Sequence, residues 1–299
     1  MKKITILSGK GGVGKSSITA SLGVILSKKY KIILADCDVD APNLALVFGK
    51  KEKDFLEWSD ISTNQKAVFD LDKCNSCQKC YKACYFNAID WIDNKPQLKK
   101  FSCEGCGIAD IICPVGAIKL VDVKNAKIGH VYTKYGFDVV SSQLNIGESG
   151  SGKLVAEVKN KAKELANDSE IMLVDSAAGI GCPVIASVSG SDYCVLIVEP
   201  TPSSFYDMKK ALDVINHFKI NSGIIVNKFD INKKYLEEIK KFAKNKKIKI
   251  IGELPYDKDF IRALVDMVPV VEKSDKQKKI FSKILDNLLI DCNLNLVKK

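Results

Sequence analysis

The residues of this chain that could do chemistry fall into two sets, one suited to holding an anion and one to holding metal. The first is Gly9-Lys10-Gly11-Gly12-Val13-Gly14-Lys15-Ser16-Ser17, in which Gly9, Gly14, Lys15 and Ser16 meet the pattern G-x-x-x-x-G-K-[ST]. Glycines let successive backbone N–H groups turn inward around an oxyanion with no Cβ in the way. Those amides, with the positive end of a following helix, make a phosphate cradle. Lys15 is then placed to reach the β- and γ-phosphates of a nucleotide, and the Ser16 hydroxyl to bind Mg²⁺. A glycine-rich turn of another kind is the bland alternative. The order of apolar run, loop and helical pattern argues against it.

Three more polar residues lie at the ends of apolar runs. Asp38 follows the run Lys31–Asp36, where an acid could orient water or hold a water bound to Mg²⁺; a turn or helix-cap aspartate is the alternative. Asp175 closes Ile171–Asp175 and suits the metal's water shell. Asn227 closes Gly223–Asn227, and its amide offers the donor and acceptor that a purine edge requires. Pro255, just past the run Ile248–Gly252, joins the candidate nucleotide contacts. Lys15 and Asp38 are the catalytic candidates read from the residues, and Ser16, Asp38 and Asp175 the candidates around Mg²⁺.

The second set is cysteine. Cys74, Cys77, Cys80 and Cys84 follow the spacing C-x2-C-x2-C-x3-C of bacterial ferredoxins. Cys103, Cys106 and Cys113-Pro114 repeat it with one cysteine missing, Ala109 standing in that place. Asn87-Ala-Ile and Gly116-Ala-Ile follow the two runs as an internal repeat. Soft thiolates suit iron, and in such modules the fourth cysteine of each run serves the other cluster. That rule gives a complete set, Cys74, Cys77, Cys80 and Cys113, expected to hold a 4Fe-4S cluster. It leaves an incomplete set, Cys84, Cys103 and Cys106, expected to hold a three-iron cluster, an external ligand or a nearby oxygen such as that of Asp110. Zinc is the rival for the whole block. Cys37, Cys194 and Cys292 read as structural, and Cys182 as a packed small residue.

The elements that must position these groups alternate as strand and helix, which implies an α/β fold with a mostly parallel sheet. The cysteine-rich stretch interrupts that rhythm. The expected organisation is a P-loop NTPase domain over residues 1–55 and 123–299, with a ferredoxin-like iron–sulfur domain inserted at 56–122. Gly147–Gly152 reads as a turn before a helix. The 299 residues are 46% hydrophobic and 27% charged, ordinary for a globular protein. No apolar run reaches the roughly 20 residues that span a bilayer. With no signal peptide at the start either, a cytoplasmic location is expected. The charge of +10 comes almost wholly from lysines scattered along helices, Arg262 being the single arginine, so DNA is not an expected partner.

The segment Gly9–Ser16 resembles the deviant phosphate loop of the MinD/ParA/Mrp group of ATPases, related to the nitrogenase iron protein, whose mark is a second lysine early in the loop, here Lys10. Asp36-Cys-Asp38, Asp175-Ser-Ala-Ala-Gly179, Glu199-Pro-Thr-Pro202 and Val226-Asn227-Lys228 match further positions in the right order. The nearest likeness is to members carrying an inserted ferredoxin domain. The resemblance implies an ATP-dependent homodimer with nucleotide at the interface. Lys10, a third catalytic candidate on this resemblance, would cross to the partner's phosphates, Asp38 would position water and Asn227 would hold adenine. It implies slow ATP hydrolysis coupled to electron transfer toward an acceptor protein. The alternatives are an iron–sulfur carrier or assembly factor, and a redox-sensing positioning switch acting on DNA or a partner.

Overall fold

The computed structural model describes residues 1–148 and 151–293. Its strands are β1 (Lys2–Ser8), β2 (Ile32–Cys37), β3 (Leu56–Ile61), β4 (Asn64–Phe69), β5 (Ile89–Ile92), β6 (Lys95–Leu98) and β7 (Ile118–Val123). They continue with β8 (Ala126–Tyr132), β9 (Asp138–Leu144), β10 (Ile171–Ala178), β11 (Tyr193–Val198), β12 (Ser222–Asn227) and β13 (Lys249–Leu254). The helices are α1 (Lys15–Leu26), α2 (Leu44–Val47), α3 (Lys79–Ala83), α4 (Ile108–Ile111), α5 (Gly152–Leu165) and α6 (Cys182–Val188). After them come α7 (Pro202–His217), α8 (Lys233–Lys246), α9 (Lys258–Val265), α10 (Val270–Lys273) and α11 (Asp275–Asp291).

The chain divides into two compact units, Met1–Trp58 with Ile128–Gln143 and Gly150–Lys299, and Ser59–Lys127 with Leu144–Ser149. Leu56–Trp58, expected to open the insert, belong to the larger unit. Ser149 and Gly150, within the expected Gly147–Gly152 turn, lie outside the described residues.

The main sheet runs β13-β12-β11-β1-β10-β2-β9-β8-β3. Parallel pairing joins β13 to β12, β12 to β11, β11 to β1, β1 to β10, β10 to β2 and β2 to β9. Strands β2, β11 and all but the last residue of β10 are buried throughout, as apolar strands covered on both faces must be. On one face Ile4, Ile6, Leu34 and Leu173 pack with Leu22, Phe281, Leu285 and Leu288. On the other, Leu7, Leu196 and Val198 pack with Met208, Ile215 and Ile239. Because the order reverses about β1, the carboxyl ends of β1, β10 and β2 come together at a switch point, where open α/β sheets bind ligands.

The smaller unit holds two antiparallel pairs, β4 with β7 and β5 with β6. It is an internal repeat. The order β4, cysteine loop, α3, β5 recurs as β6, cysteine loop, α4, β7. Left-handed backbone recurs at matching positions, Ser76 with Gly105, Gln78 with Gly107, and Asn87 with Gly116. Ala67, Cys80, Ile89 and Ile118 form its core, with Cys84, Cys103, Ala109 and Cys113 packed against it.

Candidate functional site

The glycine loop leaves β1 at Ser8 and enters α1 at Lys15, with Gly14 as N-cap in left-handed backbone (φ 87°). Gly12 is left-handed too, at φ 79°. Gly9 is needed for a different reason: a Cβ there would lie 2.1 Å from the backbone carbonyl carbon of Asp207 on α7. Val13 is buried in the core and anchors the loop from inside. Asn227 fixes it from the side, donating its amide to the Val13 carbonyl at 2.8 Å, while its oxygen accepts the Lys228 N–H at 3.0 Å. Ser16 and Ser17 lie half-buried in the first turn of α1, and Gly11 is exposed.

Lys15 points down into the sheet. Its Nζ donates to Asp175 Oδ1 at 3.0 Å and lies 3.8 Å from Asp38 Oδ2. Thr19, one turn along α1, donates to the same Asp175 oxygen at 2.9 Å. Asp36 stands beside Asp175 in the parallel register of β2 and β10, both fully buried. It accepts the backbone N–H groups of Leu44 at 3.0 Å and Asp38 at 3.3 Å. Burial pushes the Asp36 carboxyl up to about 7, the Asp175 charge adding to the effect and the Leu44 hydrogen bond opposing it. Asp38 is also raised, chiefly by burial, with Lys15 opposing. For Lys15, burial favours the neutral amine. The charge and hydrogen bond of Asp175, with Asp38 and Asp36, outweigh it and raise its pKa above the ordinary value.

Asp175 Oδ2 is buried with no hydrogen-bond partner. A desolvated acceptor of this kind calls for a cation or a water held by one. Among the described residues no three Cys, His, Asp or Glu side chains converge as ligands of a single metal ion. Mg²⁺ in phosphate sites does not need such a cage, since it keeps waters and takes only one or two protein groups plus phosphate oxygens.

The remaining candidates lie around the same strand ends. Lys10 is exposed, its Nζ donating to Ser203 Oγ at 3.0 Å near the start of α7. Pro255 follows Leu254, which pairs with Asn227 across β13 and β12. Lys228 is ion-paired to Glu199, tying the ends of β12 and β11. Sequence reasoning missed Asp36 and Thr19 as members of the Lys15 cluster. For Asp36 a signal was present, an acid closing an otherwise apolar strand.

In the smaller unit the seven cysteines divide between two hollows. Cys74, Cys77, Cys80 and Cys113 line one, beside Phe69, Trp91 and Ile118. Cys84, Cys103 and Cys106 line the other, with Ala109 and Asp110. Two sulfurs accept matching backbone hydrogen bonds, Cys84 from Ala88 and Cys113 from Ala117, each at 3.2 Å. Gly105 cannot be replaced freely, since a Cβ there would lie 2.3 Å from the Gln65 carbonyl oxygen. Burial raises the Cys80 pKa, and the neighbouring Cys74 and Cys77 add to it. Cys37 and Cys194 lie fully buried in the main sheet, as expected of structural cysteines. Cys182, expected to be packed, is exposed at the start of α6.

A parallel α/β sheet with a glycine loop, lysine and strand-end acids at its switch point defines a P-loop nucleotide-binding protein. The profile of the CobQ/CobB/MinD/ParA nucleotide binding domain matches residues 4–270, and the chain belongs to this family. It is 35% identical over 288 residues to uncharacterized protein MJ0578 of Methanocaldococcus jannaschii, covering 96% of each chain. Its fold is shared with the septum site-determining protein MinD of Pyrococcus horikoshii, solved with Mg-ADP. There the TM-score is 0.62 and the identity 18%, with 100% of this chain and 98% of that one covered. MinD of Aquifex aeolicus, solved in a MinC:MinD cell division complex, gives a TM-score of 0.59 at 19% identity. That match covers 97% of this chain and 96% of that one. Among the described residues no helix is long and apolar enough to cross a membrane.

Proposed function

We propose that this chain binds and slowly hydrolyses ATP with Mg²⁺, and couples its nucleotide state to electron transfer through iron–sulfur clusters in the smaller unit. The amides of Gly9–Ser17 would hold the phosphates and Lys15 would neutralise them, with Ser16 and Asp175 serving Mg²⁺ and its water. Asp38 is within reach of Lys15 and only part-buried, as a residue that orients the attacking water should be. Lys10, exposed and held by Ser203 Oγ at 3.0 Å, would let go of it to cross to a second copy, which would make the working form a homodimer with ATP at the interface. Asn227 would act chiefly by holding the loop through Val13, with Pro255 beside it at the adenine end. The Mg-ADP with which MinD of Pyrococcus horikoshii was solved supports a nucleotide at this position.

One observation carries the redox half: the separation of the seven cysteines into the two hollows. The donor set fits iron–sulfur clusters, being thiolates lined by apolar side chains and bonded by peptide N–H groups, features that tune such clusters. A four-iron cluster spreads its thiolates over different irons, so they need not converge on one ion. When bound, the clusters would supply one-electron chemistry, passed to an acceptor protein. The incomplete second hollow also favours a second reading, an iron–sulfur carrier, because a site with three thiolates empties more easily. Anaerobic purification with iron and sulfide counting, and electron paramagnetic resonance with and without ATP, tests both. Electron transfer predicts clusters that stay bound while their spectrum or oxidation rate shifts with ATP. Loss of cluster to an apo-acceptor supports the carrier, and zinc in place of iron removes both readings.

A further inference from the structure

Resting on the iron–sulfur reading above, we infer that the second hollow holds a cluster with one iron bound by no cysteine, and that this corner takes an exogenous small thiol. The internal repeat identifies the corner. Cys74 matches Cys103, Cys77 matches Cys106 and Cys84 matches Cys113, so the place of Cys80 is taken by Ala109. Cys80 and Ala109 each lie in the first helical turn after a left-handed residue, Gln78 at φ 61° and Gly107 at φ 82°. The second hollow keeps the rest of the ligand framework of the first. Three cysteines line it, and the Cys84 sulfur accepts the Ala88 N–H as the Cys113 sulfur accepts that of Ala117. Only the sulfur at position 109 is missing.

The adjacent carboxylate is a poor replacement for the missing sulfur. Asp110 lines the hollow but is exposed to solvent, whereas Cys80, at the equivalent of position 109, is buried at 7% exposure. A soft iron corner prefers sulfur to a solvated carboxylate, and Ala109, only half-buried, leaves the approach open. Binding of a thiol there is a ligand exchange. The thiol's sulfur bonds to the iron in place of a solvent water, the iron–oxygen bond breaks and the water leaves, the thiol's proton goes to solvent, and no electron moves.

The test uses the full chain, anaerobically reconstituted, as wild type, Ala109→Cys and Asp110→Asn. A ferrous chelator should strip iron from the wild type, the ion leaving as Fe²⁺. Ferricyanide should then take an electron from the remnant and reveal a three-iron paramagnetic signal. 2-Mercaptoethanol added before the chelator should change the spectrum of the reduced wild type. Ala109→Cys should resist the chelator and ignore the thiol, and Asp110→Asn should match the wild type. The inference is overturned if wild-type iron is inert to chelator and thiol, if the second hollow stays empty while the first is loaded, or if Asp110→Asn alone strips iron. Each of those outcomes leaves the first cluster and the wider reading standing. Failure of any iron to bind overturns that reading itself. Should Ala109→Cys misfold, the wild-type chelator and thiol arms still decide.

Discussion

Lys15 Nζ and Asp175 Oδ1 lie 3.0 Å apart beneath the glycine loop, a buried ion pair joining the start of α1 to the middle of β10. The pair sets the charge of the site, because Asp36 and Asp38 crowd the same lysine. Removing one member of a buried pair leaves the other uncompensated, at a cost of about 3–5 kcal/mol. Lys15→Ala should therefore destabilise the nucleotide-free protein, and Lys15→Ala with Asp175→Asn should recover part of the loss. Denaturant unfolding of the wild type, Lys15→Ala, Asp175→Asn and the double variant measures this coupling. Strictly additive losses would mean that the two groups do not depend on one another.

The pH dependence of stability follows from Asp36. Its folded pKa is raised to about 7, against about 4 in the unfolded chain. The native state therefore binds this proton more tightly, and its contribution to stability falls as pH rises from about 4 to about 7. Asp36→Asn should flatten that fall relative to wild type, as read from unfolding free energy across the window. An unchanged slope would place the proton elsewhere.

The loop's rigidity has two separable sources. Gly9→Ala drives a methyl into the α7 backbone, which cannot yield as a side chain would, and should cost about 3 kcal/mol or more. Asn227→Ala frees the buried Val13 carbonyl, at about 1–3 kcal/mol. It should also weaken nucleotide binding without touching phosphate. Thermal unfolding and calorimetric titration with Mg-ATP check the pair.

How far these relationships could be read ahead differs between the two units. The glycine loop was legible because its chemistry is carried by backbone geometry at fixed spacing. The order of strands and helices followed from apolar runs and their breaks. Asp36 and Thr19 escaped because their roles depend on which strand lies beside which, and sequence spacing does not encode register. The same is true of Asn227. An amide at a strand end could face a base, but its observed bond to Val13 depends on a long-range approach. That Cys113 lines the same hollow as Cys74, Cys77 and Cys80 could be anticipated, because the ferredoxin spacing carries a crossing rule. The exposure of Cys182 could not, since a cysteine before proline says nothing of which face its helix turns outward.

Crossed ligation gives a sharp pairing of phenotypes. Cys113→Ser should remove the same spectroscopic signal as Cys74→Ser, although Cys113 lies in the second run. Cys84→Ser should remove the same signal as Cys103→Ser. Electron paramagnetic resonance of the four anaerobic variants decides it. Pairing by run, Cys84 with Cys74 and Cys113 with Cys103, would contradict the two hollows.

Calorimetric titration of Mg-ATP into wild type and Lys15→Ala tests the nucleotide site most directly. Loss of charge-assisted bonds worth about 1.5–3 kcal/mol each should weaken binding by about 10- to 100-fold or more. Equal affinity in the two proteins would contradict the account, because the phosphates would then lie somewhere other than the glycine loop.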